Sequence, residues 1–162
     1  MRRNLSAIVA LAVLTCTGPP VSAQTEATRP DMRIPDCRFS RPATIIASLE
    51  DAPDIAAEFE RQGLVVADVG EPFVPYDVVD GSKNLPHRQF LRAYAFADRT
   101  IGWYYHGGIG THIHVFELRK QIASEAEASK EPILRLTGAT LSGPPCQATQ
   151  ALLDDVRGLN DW

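Results

Sequence analysis

Residues 88–119 read RQFLRAYAFADRTIGWYYHGGIGTHIHVFELR, and their pattern decides the fold. Aromatic and β-branched residues dominate, as strands prefer. Two interruptions, DRT at 98–100 and GGIG at 107–110, cut the stretch into three runs. That is the signature of an antiparallel meander. With Asp98 and Arg99 as a two-residue turn, Phe96 faces Ile101, Tyr94 faces Trp103 and Arg92 faces Tyr105. With 107–110 as the next turn, Tyr105 faces His112 and Trp103 faces His114. Alternation then places Arg92, Tyr94, Trp103, Tyr105, His112 and His114 on one face. It places Ala93, Gly102, Tyr104, His106, Val115 and Glu117 on the other.

The second face is rich in small residues and suits close packing of helices. The first is aromatic with polar tips. It is the candidate binding wall, with a small apolar ligand held by Arg92, Tyr94, Trp103, Tyr105, His112 and His114. Histidines two apart on a strand share a side, which is a route to a metal site. The stretch GTHIHVFE is similar to the metal box of the cupins, whose glutamate lies further along the strand and returns to the histidine face. Here Glu117 follows His114 by three residues and points away, no histidine follows His114, and His106 falls on the opposite face in this register. The expectation is therefore two ligands without a third, and no metal or other cofactor.

Other chemistries lack their residues. There is no G-x-S-x-G elbow, no H-E-x-x-H and no phosphate loop ending in G-K-[ST]. With no complete catalytic set, the expected function is a non-enzymatic binding or interaction module of the cell envelope. Its partner would be a small apolar ligand or an envelope protein. The alternative is a small hydrolase or metal-dependent enzyme using the face of His112 and His114.

The first residues support an exported protein. MRRNLSAIVALAVLTC has a basic start and an apolar run of about ten residues, and Val21 and Ala23 form a small-residue site before Gln24. A membrane span needs roughly 20 apolar residues. Residues 1–23 thus read as a signal peptide, leaving no stable span after cleavage, and the expected location is periplasmic or secreted. Removing Arg2 and Arg3 takes the formal charge from −4 to −6. That acidic balance argues against nucleic acid as a partner. Two cysteines remain, Cys37 and Cys146, and export makes a disulfide between them the default.

Residues 24–36 read as a flexible leader and 37–162 as a single domain. Short apolar runs predict strands at 43–49 and 64–70, an edge strand near 74–79, and a strand at 132–143 with Gly138 at a bulge. A helix is predicted over 51–62, capped by Asp51, with Pro53 in its first turn and Gly63 as its stop. Its acids, Glu50, Asp51, Asp54, Glu58 and Glu60, are read as dipole-favoured or solvated. Residues 120–131 read as an exposed connection. Ala148, Leu152 and Val156 predict a closing helix. The fold class expected is α+β: an antiparallel meander with two or more helices packed on one face and one disulfide.

Overall fold

The computed structural model describes residues 33–75, 84–108, 112–121 and 133–157. Contacts divide the chain into Met1–Pro30 and Asp31–Trp162, and every described residue belongs to the second unit. The signal peptide and most of the leader lie outside the described residues. The elements run β1 (Thr44–Ile46), α1 (Pro53–Arg61), β2 (Arg88–Ala95), β3 (Arg99–His106), β4 (His112–Gln121), β5 (Ile133–Ser142) and α2 (Pro145–Leu153). The strands form one antiparallel sheet in chain order, β1 to β5. The α+β class and the meander stand, and Cys37 is bonded to Cys146.

The helices, however, lie on opposite faces of the sheet. Ile55 and Phe59 of α1 pack with Phe90, Ala93, Tyr104 and Phe116. Ala148, Leu152 and Leu153 of α2 pack with Leu91, Tyr94, Trp103 and Val115. Neighbouring residues of a strand, such as Trp103 and Tyr104, point to opposite sides. The expectation of both helices on one face failed because each face of the central strands is apolar enough to need a cover.

Several boundaries differ from those expected. The first strand covers only Thr44–Ile46. Residues 64–70 form no strand; a single bridge joins Ala67 to Gln89. Of the expected edge strand, 74 and 75 are irregular and the rest lies outside the described residues, as does 122–132. Gly138 does mark a bulge: Leu118 pairs with Leu136 and Phe116 with Thr140, so Thr137, Gly138 and Ala139 together oppose Glu117. Helix α2 ends at Leu153, and Val156 lies exposed beyond it.

Local chemistry explains α1. Pro53 and Asp54 occupy its first turn and Arg61 its last, each favoured there. Ala52, not Asp51, is the N-cap, because Asp51 is engaged with Ser48: the Ser48 hydroxyl donates to its carboxylate and accepts its backbone N–H. Gly63 adopts φ +68°, and the amides of Gly63 and Leu64 bond the carbonyls of Glu60 and Phe59. This pairing is a Schellman close.

Glu58 is the main correction to the acidic string. It is 1% exposed, not solvated. Its carboxylate accepts from Arg61 at 2.6 and 2.7 Å, Gln62 at 3.1 Å, Arg135 at 3.1 Å and the Leu136 amide at 2.9 Å. Helix α1 is thereby tied to β5. Burial opposes the charge, but the hydrogen bonds from Arg61, Leu136 and Gln62 outweigh it and hold the carboxyl at about 2 instead of 4.5. A lowered folded-state value stabilises above the ordinary pKa and is lost as pH falls through the folded one. Glu58→Gln should cost roughly 3 kcal/mol near neutral pH, and it should flatten the loss of stability between pH 4.5 and about 2. Urea unfolding across that range measures both effects. An unchanged acid slope in the variant would count against the assignment.

Candidate metal centre

The site begins with how β3 meets β4. His106 ends β3, His112 begins β4, and the two are direct cross-strand partners; Tyr104 pairs with His114 and Gly102 with Phe116. Five residues, 107–111, separate the paired histidines, one more than the turn expected from GGIG. The first of them is tightly placed. The Gly107 amide donates to the His87 carbonyl at 2.7 Å, and a side chain there would overlap the backbone of Val74 and Pro75. Gly108 has φ +131°, a conformation open to glycine. An odd shift in register turns every side chain of the strand over. His112 and His114 therefore lie on the face of Tyr104 and His106, not that of Trp103 and Tyr105.

The shift at the other hairpin has no such effect. Phe96 bonds Arg99 at 2.8 Å, so Ala97 and Asp98 form the turn. Tyr94 then pairs with Ile101 and Arg92 with Trp103, two positions from the expected partners. An even slip preserves the faces. A bulge between Phe90 and Arg92 lets Leu91 join Tyr94 on the α2 side.

The expected ligand wall is thus divided. Tyr94, Trp103 and Tyr105 are buried beneath α2 and the Cys37–Cys146 bond. The Trp103 indole donates to Thr149 Oγ1 at 2.8 Å, Phe39 meets Tyr94 edge-on at 4.8 Å and Phe73 meets Tyr105 edge-on at 5.6 Å. Arg92 sits at the margin of that core, donating to the Tyr94 hydroxyl at 3.3 Å. His112 and His114 are on the far side of the sheet, where the structure adds the residue that sequence reasoning set aside, His106.

Donor atoms of His106, His112 and His114 all lie within 4.8 Å of one another. His112 is exposed, His106 half-buried and His114 8% exposed. Nε2 of His112 and Nε2 of His114 are 2.6 Å apart, so at most one of these facing nitrogens carries a hydrogen. Nδ1 of His114 lies 3.3 Å from Thr140 Oγ1. With Nδ1 donating there, Nε2 presents its lone pair to the cluster, the arrangement that metal-bound histidines use. The His114 ring stacks on Tyr104 with centroids 5.1 Å apart and planes 11° apart, which holds it in place from the side. Metal–nitrogen bonds of about 2.0–2.1 Å in tetrahedral geometry set nitrogens roughly 3.3 Å apart. The 2.6 Å spacing is shorter than that value and the 4.8 Å limit longer, so the rings would have to rotate to bring the three nitrogens onto one ion.

Glu117 is no part of this centre. It points to the α2 side, fully buried, and accepts from Arg99 and Arg119 and from the Thr137 hydroxyl. Arg88, by contrast, is the cross-strand partner of His106. Burial pushes the Tyr104 phenol above its ordinary value, and the nearby charge and hydrogen bonding of Arg88 partly offset this. Comparison of the chain with known protein families, with curated proteins and with solved structures found no match.

The register that assembles the centre rests on Gly102, whose missing side chain leaves room for the Phe116 ring. A methyl there would overlap three atoms of that ring. Gly102→Ala should cost roughly 1–3 kcal/mol, as overpacking does. Adding Phe116→Leu should recover part of that loss. Denaturant unfolding of the two single variants and the double variant measures the coupling, and strict additivity would mean that the two residues do not touch.

Proposed function

We propose that the protein is an exported binding module whose ligand is a divalent transition metal, held by His106, His112 and His114. The carrying observation is the convergence of three imidazoles on one face, one of them fixed by Thr140 and stacked on Tyr104. Imidazole-only donors suit zinc and copper better than calcium or magnesium, which prefer oxygen. The filled core around Trp103 moves the binding role from the aromatic face to the histidine face. Export to the periplasm or the medium accords with the leader pattern and with the Cys37–Cys146 bond, since disulfides persist in oxidising compartments. Among the described residues no helix is long and apolar enough to cross a membrane.

Metal analysis of the mature, tag-free protein after loading and desalting tests the reading. One zinc or copper per chain is expected. Replacing His106, His112 or His114 by alanine should abolish stoichiometric retention. Thr140→Val should weaken affinity by about 10–100-fold, as loss of a supporting hydrogen bond does. Retention that is unchanged in His106→Ala, or absent in the parent, overturns the proposal.

A further inference from the structure

We infer that the metal on the three histidines takes a small oxyanion as its fourth ligand, and that Arg88 steadies that anion. The inference rests on the metal-binding reading above and adds the chemistry of what the ion carries. Three neutral imidazoles leave the two positive charges of the ion uncompensated. In many sites a carboxylate from the protein supplies the balance. Strands β2, β3, β4 and β5 contain a single acid, Glu117, and it projects to the opposite face, where arginines engage it. The charged group placed next to the cluster is instead another cation. Arg88 stands directly opposite His106, on the same face. Its Nε is buried and has no hydrogen-bond partner among the described residues. A buried guanidinium donor without an acceptor is costly, and an anion on the adjacent ion would supply one. The exposed position of His112 leaves the centre open to solvent, as sites that exchange ligands require.

Guanidinium and metal together select planar or tetrahedral oxyanions, the shared chemistry of hydrogencarbonate, phosphate and carboxylates. Cobalt(II) loaded into the mature protein reports its ligand field directly. Titration of that form with hydrogencarbonate, phosphate or acetate, in buffer free of other coordinating anions, distinguishes the sources. A saturable change in the visible spectrum with at least one of them is expected. Arg88→Gln should weaken that anion by about tenfold or more, the loss of a hydrogen bond to a charged group, in samples shown to hold cobalt. Tyr104→Phe, which removes the hydroxyl beside Arg88, gives a second variant should Arg88→Gln fail to fold, and it should weaken the anion in the same direction. If cobalt loads but no oxyanion alters the spectrum, the inference is overturned while the metal site stands. Anion affinity that is unchanged in both variants overturns the role of Arg88. If cobalt does not load at all, the metal-binding reading fails and the inference with it.

Discussion

The ring of Phe116 lies against the bare backbone of Gly102, and the arrangement of the sheet depends on that contact. Both faces of the central strands are apolar and both are covered, so burial alone does not choose which way β4 faces. Val115 is fully buried on one face and Phe116 and Leu118 on the other, so either orientation would cover an apolar set. Shape makes the choice. Gly102 leaves a gap in β3 that an aromatic ring from the paired strand can fill, a known device for glycine in sheets. Once Phe116 occupies it, Tyr104 must pair with His114 and His106 with His112. The three-histidine cluster is thus a geometric consequence of a packing contact roughly three residue pairs away along the ladder.

Around that register, buried charges and one covalent bond hold the layers. Glu58 fixes α1 to β5 through Arg135 and the Leu136 amide. On the other face Arg99 reaches from β3 to Glu117, to the Leu152 carbonyl and to Asp155, joining β4 and the end of α2 in one network. Such pairs add little net stability over apolar replacements, yet they are costly to break singly. Their effect is to fix where each helix sits. The disulfide closes the α2 side by joining the segment before β1 to the start of α2. The histidine face lies on the other side of the sheet, so its geometry is set by strand pairing more than by that covalent tie.

Much of this was legible in the residues. The three runs of 88–119, the two helices, the bulge at Gly138 and the cysteine pair follow from periodicity, turn residues and cysteine count. What escaped was parity. The stretch GGIG suggests a four-residue turn, whereas the pairing of His106 with His112 leaves five residues between them, and that one extra residue inverts β4. The available signal was Gly102, a glycine inside a strand that calls for a large neighbour. Glu58 is masked by its acidic neighbours in the sequence, although its spacing from Ile55 and Phe59 puts it on their inward face. Residues 64–70 look like a strand by composition, but only Ala67 finds a partner, because the run lies beside β2 at a single point.

The histidine cluster follows from the pairing of β3 with β4. Cross-strand proton contacts measured by nuclear magnetic resonance on the isotope-labelled protein report that pairing. Contacts joining His106 to His112 and the Tyr104 ring to His114 are expected. Contacts joining Tyr105 to His112 and Trp103 to His114 would contradict it, and would return the histidines to the α2 face.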